Sequence, residues 1–368
     1  MKKAMIAMSG GVDSSVAALL TKESGDECIG VTMKLFENED IGEEKEKSCC
    51  SLNDVEDARA VAYRIGMPYY VLNFTESFRE SVMDHFAESY KKGYTPNPCI
   101  DCNRYLKFDQ LFRKMKELSL DYIVTGHYAR VEYDSTTGRY LLKRAVDPAK
   151  DQSYVLYTLT QEQLAHIKFP LGALCKEEVR KKAEENGFIN ARKHDSQDIC
   201  FVPDGDYASF IERYTGKADV PGDFVDSSGT VIGRHKGVTH YTVGQRRGLG
   251  IPAKNRLYVC RIDTESNKVI LGSNEDLFAS ELIAGDVNLI SVDSLNEPMH
   301  VKAKIRYRHE AQDASAFCTP DGKLHVKYEK PQRAITKGQS VVMYDGDVVV
   351  GGGIIESIVA DNISAANG

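Results

Sequence analysis

Short apolar runs of strand length alternate with helically spaced ones through the first half of the chain. Ala4 to Met8, Glu27 to Leu35, Tyr69 to Asn73 and Tyr122 to Thr125 have the length and composition of buried strands. Between them the apolar residues return at helical spacing: Val16 to Leu20; Val55, Ala58, Ala62 and Ile65 within Asn53 to Ile65, stopped by Gly66 and Pro68; Phe78, Val82 and Phe86; and Leu106 to Leu118. This order predicts a doubly wound parallel α/β domain, with ligands at the carboxyl ends of the strands. The acidic stretch Glu37 to Glu46 breaks the pattern and reads as a solvated loop.

Beyond Arg130 the period changes. Arg130 to Ala145 reads as a hairpin around Ser135 to Gly138, Thr160-x-x-Gln163 as a capping box, and Glu177 to Asn186 and Tyr207 to Tyr214 as helices. After Gly216 the segments are short and alternating, with Asp-Gly turns at Asp321-Gly322 and Asp345-Gly346, which is how small β domains and barrels read. Three parts are expected: residues 1–206, a β-rich centre at 207–280, and a β-barrel at 281–368.

Between the first strand and the first helix lies Ser9-Gly10-Gly11-Val12-Asp13-Ser14-Ser15. Two glycines let the backbone approach a phosphate, the first-turn amides of the helix donate, and the positive end of its dipole favours an anion. The Lys-Ser/Thr pair of a Walker A loop is missing, and an Asp stands there instead. Asp13 either ligates a magnesium ion that bridges phosphates or caps the helix through a backbone amide.

Composition adds limits. The 368 residues carry a formal net charge of -7 and nine cysteines, with no run of the ~20 apolar residues a spanning helix needs. An odd cysteine count after a Met-Lys-Lys start too short for a signal peptide argues for the cytoplasm and against a disulfide framework. The acidic total gives no general support for nucleic-acid binding, but the charge is segregated. Between Ser227 and Ile262 stand seven Lys or Arg and no acid, and alternation from Val301 to Arg308 would put Lys302, Lys304, Arg306 and Arg308 on one strand face. Such a face suits RNA phosphates.

Cys99 and Cys102 sit in CxxC spacing in Asn97-Pro98-Cys99-Ile100-Asp101-Cys102-Asn103, expected to be a loop held open by Pro96 and Pro98; Cys200 lies in a non-periodic segment, Asp195 to Phe201. CxxC fits a metal, a redox dithiol or a cluster, or is coincidence. Cys28, Cys175, Cys260 and Cys318 read as buried small hydrophobes, and Cys49-Cys50 as structural.

The hexad SGGVDS resembles the pyrophosphate loop of the N-type ATP pyrophosphatases, which adenylate their substrates. With TPNPCIDCN (95–103), TGHYAR (125–130), KDQSYVLY (150–157), DSQDICF (195–201), HKGVTHYTVGQRRGLG (235–250) and RYR (306–308), the chain resembles the bacterial tRNA-specific 2-thiouridylases nearly from end to end. The resemblance implies that residues 1–206 form an ATP pyrophosphatase catalytic domain, followed by a tRNA-binding central domain. It implies an ATP site made of Ala7, Met8, Ser9, Gly10, Gly11, Val12, Asp13, Ser14, Met33 and Gly126. Asn97, Pro98, Cys99, Lys150, Asp151 and Gln152 would meet the target base and its tRNA, with His127, Arg306, Tyr307 and Gln339 as further tRNA contacts. Cys200 would carry the incoming sulfur as a persulfide and Cys102 would be its partner nucleophile. The tRNAs would be those for lysine, glutamate and glutamine, and the sulfur source a cysteine desulfurase or a relay protein.

One position departs from that pattern: Cys99 stands where the family motif most often has Asp. An acid/base role for that Asp does not carry over. Three thiols, Cys99, Cys102 and Cys200, could instead hold a 4Fe-4S cluster with one iron open. Two rival readings remain, a synthetase that adenylates a small metabolite and a non-catalytic tRNA-binding protein.

Overall fold

The computed structural model describes residues 1–37, 52–194 and 198–359, so the acidic stretch beyond Glu37, Cys49-Cys50 and Asp195 to Gln197 lie outside the described residues. The chain divides into two compact units that exchange segments. Among the described residues the first holds Met1–Met83, Pro98–Gly205 and Asp347–Val349; the second holds Asp84–Asn97, Asp206–Gly346 and the residues from Val350 to Val359.

In the first unit β1 (Lys3–Ala7), β2 (Glu27–Lys34), β3 (Tyr69–Asn73), β4 (Tyr122–Val124) and β7 (Ile167–Lys168) form one parallel sheet in the order β3-β2-β1-β4-β7. The chain winds outward from β1 to β3 and returns to β4 on the other side of β1, so the order reverses there. A doubly wound sheet opens its ligand crevice at such a reversal. Around it pack α1 (Val12–Glu23) and α2 (Leu52–Arg64), and Val16, Ala17, Ala58, Val61 and Ala62 meet Ala4, Ile6 and Val124 of the sheet in one buried core. Helix spacing in the sequence marked these same faces.

The expected hairpin is present as β5 (Ala129–Asp134) and β6 (Arg139–Arg144), with Tyr133 opposite Tyr140. Asp347 is clipped to it: its carbonyl accepts from Arg144 N at 2.8 Å and its carboxylate from Arg130 Nη2 at 2.6 Å. The Thr160–Gln163 capping box forms with both of its hydrogen bonds.

One expectation fails in a way that matters. Pro98 does not hold a loop open; it begins the helix α3 (Pro98–Asp101), which continues as a π-helix over Cys102–Gln110 and as regular α-helix to Glu117. Proline suits the first helical position because the amide it lacks would have no intrahelical partner there. Cys99 and Cys102 therefore lie on successive turns of a helix, not in an open loop.

Helix α4 (Lys176–Glu185) completes the first unit. In the second unit α5 (Tyr207–Thr215) lays Tyr207 and Phe210 edge-on to Phe86, and Tyr214 donates to Asp84 at 2.7 Å. Four strands, β8 (Gly222–Val225), β9 (Val231–His235), β10 (Tyr258–Asp263) and β11 (Lys268–Gly272), make a sheet in the order β10-β11-β8-β9. Then β12 (Phe278–Leu289), β13 (Met299–Lys304), β14 (Gln312–Cys318), β15 (Leu324–Arg333), β16 (Ser340–Asp345) and β17 (Val348–Val359) close into a barrel through the β12–β17 pairing. Both Asp-Gly turns fall where expected, joining β14 to β15 and β16 to β17.

The cationic strand face is shorter than alternation implied. β13 ends at Lys304, so Arg306 and Arg308 lie in the turn that follows, and Lys302 is neutralised by Asp313 at 2.9 Å. Of the four cysteines read as buried, Cys28 is buried, whereas Cys175, Cys260 and Cys318 are partly exposed.

Candidate functional site: a phosphate cradle and two thiols

All ten residues of the expected ATP site belong to the carboxyl ends of β1, β2 and β4 and to the turns that leave them. Ala7 ends β1, Met8 to Gly11 form the turn, and Val12, Asp13 and Ser14 open α1. Met33 lies near the end of β2, and Gly126 follows β4.

The turn is fixed from several sides. Thr32 Oγ1 donates to the Met8 carbonyl at 2.6 Å, Ser14 Oγ accepts from Ser9 N at 3.2 Å and donates to the Gly11 carbonyl at 3.0 Å, and Ser15 Oγ donates to that same carbonyl at 3.1 Å. Two glycines are demanded by space. Gly10 has φ +77°, and a Cβ there would stand 2.4 Å from the Asp54 carbonyl oxygen; at Gly126 a Cβ would stand 2.7 Å from Ser14 N. Gly11 begins the helix with extended backbone and no side-chain cap. The first amides of this 12-residue helix thus keep their donors, lacking any carbonyl one turn back.

Asp13 does not cap that helix. Its Oδ1 accepts from Tyr128 OH at 2.8 Å, and Lys176 Nζ, at the start of α4, donates to Oδ1 at 2.7 Å and to Oδ2 at 2.8 Å. Lys176 is 5% exposed. A buried ammonium is therefore paired with Asp13 at the first turn of α1, where the glycine loop has no cation of its own. Sequence reading missed it, because Lys176 opens an otherwise ordinary amphipathic helix 163 residues away. Asn190 was missed as well: its Nδ2 donates to the Gly10 carbonyl and to Ser15 Oγ, each at 2.9 Å, from a buried position.

The loop Lys150–Gln152 supports the cradle from behind. Gln152 Oε1 accepts from Tyr128 N at 2.9 Å, which positions the ring that reaches Asp13, while the Asp151 carboxylate is spent on Ala145 N, Ser153 N and Ser153 Oγ. His127 is 8% exposed, lies between the rings of Phe108 and Phe169, and pairs through Nδ1 with Thr125 Oγ1 at 2.7 Å. Burial holds its pKa well below the ordinary value, with Lys107 adding to the effect, so the ring is neutral.

The thiols differ in setting. Cys99 is exposed at the start of α3; Cys102 and Cys200 are partly exposed. Desolvation pushes the Cys102 thiol up, Asp101 pushes it further, and Lys107 opposes both. Lys107 is held near by the Asn103 side-chain carbonyl at 2.9 Å, and Asn103 itself donates to the Val155 carbonyl at 2.9 Å. Next to Cys200, Phe201 is buried edge-on to Phe78. Among the described residues no group of three or more His, Cys, Asp or Glu is placed to hold a metal ion. The cluster expected on Cys99, Cys102 and Cys200 therefore has no formed ligand set among the described residues.

In the second unit Gln339 Nε2 donates to the Thr95 carbonyl at 2.8 Å, which ties the segment ending at Asn97 to the barrel. Arg306 Nη1 donates to the Arg333 carbonyl at 3.4 Å, and Tyr307 is 37% exposed.

Comparison with known proteins agrees with this anatomy. Residues 2–204 match the family model described as tRNA methyl transferase HUP domain, 208–273 the tRNA methyl transferase PRC-barrel domain, and 279–355 the aminomethyltransferase beta-barrel domain. A tRNA-specific 2-thiouridylase of Clostridioides difficile is 54% identical over 96% of this chain and 98% of its own; one of Acetivibrio thermocellus is 54% identical over 96% and 99%. The chain belongs to the tRNA-specific 2-thiouridylase family.

A solved 4-thiouridine synthetase–RNA complex with bound ATP covers 55% of this chain and 45% of its own at 20% identity and a TM-score of 0.36, too weak a likeness to argue from. As a 2-thiouridylase-family chain it has the expected parallel-sheet, central and barrel parts. Among its described residues no helix is long and apolar enough to cross a membrane.

Proposed function

We infer that this protein is an ATP-dependent tRNA sulfurtransferase that replaces the carbon-2 oxygen of a wobble uridine by sulfur. What carries the reading is an end-to-end match to proteins named 2-thiouridylases in a chain whose anion cradle is fully built. In this reading residues 1–206 are the catalytic part, 207–280 and 281–368 serve tRNA binding, and the protein acts in the cytoplasm. Its tRNAs are those for lysine, glutamate and glutamine.

The cradle amides and Lys176 hold the phosphates of ATP, and Asp13 is the carboxylate that would hold magnesium. One carboxylate plus substrate phosphates can hold magnesium, but both Asp13 oxygens accept from Lys176 Nζ, so Asp13 would hold the ion only once that ammonium turned to the phosphates. The uracil oxygen attacks the α-phosphorus and pyrophosphate leaves, which turns a poor leaving group into AMP. The terminal sulfur of a Cys200 persulfide then adds to carbon 2, and AMP departs with the oxygen. Cys102 as thiolate attacks Cys200 Sγ; the sulfur–sulfur electron pair goes to the base, leaving thiouridine and a Cys102–Cys200 disulfide. External thiol reduces the disulfide, and a desulfurase or relay protein recharges Cys200. Cys102 with the distant Cys200 supplies the two thiols that this relay needs, and no step runs through iron.

The test is the division of labour. Cys200→Ser should abolish thiolated tRNA but keep tRNA-dependent release of pyrophosphate, and Asp13→Ala should lose both. Pyrophosphate release that ignores added tRNA would restore the metabolite synthetase as the better reading, and no release at all would restore the non-catalytic binder.

A further inference from the structure

Residues 246–257 of the second unit form a built loop that no step above uses. Its neck is clamped by Gly244 N to the Val259 carbonyl at 2.8 Å and Val259 N to the Gln245 carbonyl at 2.9 Å. The Gln245 side chain braces it on both sides, accepting from Thr242 N at 3.0 Å and donating to the Arg247 carbonyl at 3.0 Å. Leu249, Ile251 and Leu257 pack into the small core around Phe224, Tyr241 and Val259. Anchored in this way, the loop lines an open, solvent-facing depression of about 550 Å³.

The chemistry of its lining is two-sided. Ile251, Pro252 and Ala253 give an apolar wall, and Arg246, Lys254 and Arg256 stand at it as exposed cations. Among the described residues none of these three, nor Arg247, has a carboxylate partner. Many cations elsewhere on the surface do, as Arg113 has Asp109, Lys302 has Asp313 and Lys323 has Glu356. Close like charges left uncompensated around an apolar wall fit a ligand that brings an anion and a flat hydrophobic face together. The cationic line also continues: Arg333 lies over the ring of Tyr258, 5.2 Å from its centroid, and its carbonyl receives Arg306.

We propose that this depression takes one unstacked nucleotide of the tRNA, its phosphate on Arg246, Lys254 and Arg256 and its base against Ile251, Pro252 and Ala253. The proposal rests on the reading that tRNA is the substrate. Every lining residue belongs to the second unit, whereas the thiols and the phosphate cradle belong to the first, so the pocket shares no residue with the site of chemistry.

Two variants separate the charge from the depression. Ala253→Leu adds bulk to the exposed wall without altering charge or offering an aromatic platform; it should weaken binding of transcribed lysine tRNA severalfold, with the salt slope unchanged. The triple change Arg246→Ala, Lys254→Ala and Arg256→Ala should lower the slope of log affinity against log salt by roughly 2–3. Both should bind ATP as the wild type does. Hydroxyl-radical footprints should lose one protected patch of RNA in each variant and keep the rest. Wild-type affinity and footprint for Ala253→Leu would overturn the pocket. Unchanged tRNA binding in both variants, with slower sulfur uptake from a persulfide donor, would make the loop a protein-docking surface and overturn it too. If the wild type releases no pyrophosphate in response to tRNA, the functional reading itself has failed, an outcome distinct from either.

Discussion

Replacing Lys176 by methionine keeps most of the side-chain volume and removes one charge from the cradle. Two short contacts, 2.7 and 2.8 Å to the oxygens of Asp13, are lost, and the carboxylate keeps only the Tyr128 hydroxyl at 2.8 Å. Asp13 retains 28% exposure, so water compensates part of the loss, and the stability cost should be nearer about 2 kcal/mol than the 3–5 kcal/mol of a fully buried broken pair. The effect on ATP is separate. A hydrogen bond to a charged group is worth about 1.5–3 kcal/mol, which corresponds to a ~10- to ~150-fold rise in the apparent Kd for ATP. Titration calorimetry with a non-hydrolysable ATP analogue, with and without magnesium, reads this directly, and thermal unfolding reads the first effect. Lys176→Arg should recover part of both. If Lys176→Met bound the analogue as tightly as the wild type, the ammonium would serve only to neutralise Asp13.

Further outcomes follow from other contacts. Gly126→Ala places a Cβ 2.7 Å from Ser14 N, a backbone atom that cannot swing away, so the start of α1 must shift; Tm should fall by an amount corresponding to ~1–3 kcal/mol, and ATP affinity should drop with it. Because burial raises the Cys102 thiol, single-turnover formation of thiolated tRNA should climb by about one log unit per pH unit from pH 7 to 9; a flat profile would remove Cys102 thiolate from the limiting step. His235 is buried and neutral, accepting from Gly237 N at 3.0 Å while its Nε2 faces the Asn267 carbonyl at 3.2 Å, and burial lowers its pKa. The unfolded state then binds the extra proton, so this histidine withdraws stability as pH falls below its ordinary value near 6.5. His235→Asn should cost stability at pH 7.5 and progressively less toward pH 5, and a constant difference in Tm would contradict the argument.

What could be read from the sequence was local. The glycine turn, its strand and its helix occupy neighbouring residues and are dictated by backbone space and helical spacing, and the sheet followed from period and length. Lys176 and Asn190 reach the cradle from 163 and 180 residues away through packing, which no spacing rule encodes. Pro98 misled because proline bars a helix interior but favours a helix start, and the choice depends on what precedes it. Arg306 and Arg308 kept the alternating pattern past the point where the ladder to β14 and β16 ends, since alternation survives a turn that hydrogen bonding does not.

The exchange of segments between the two units has a consequence for how the protein comes off the ribosome. Residues 1–205 contain the glycine turn, Lys176 and all three thiols of interest, yet the hairpin among them still waits for Asp347 to receive Arg130 and the Arg144 amide. The second unit in turn needs Asp84–Asn97, synthesised long before its barrel strands exist. A nascent chain thus has to hold an early segment in reserve and leave an early hairpin edge open until Asp347 emerges. Truncation near residue 205 yields an unfinished unit, because the partner of that edge lies 217 residues after Arg130 in the chain.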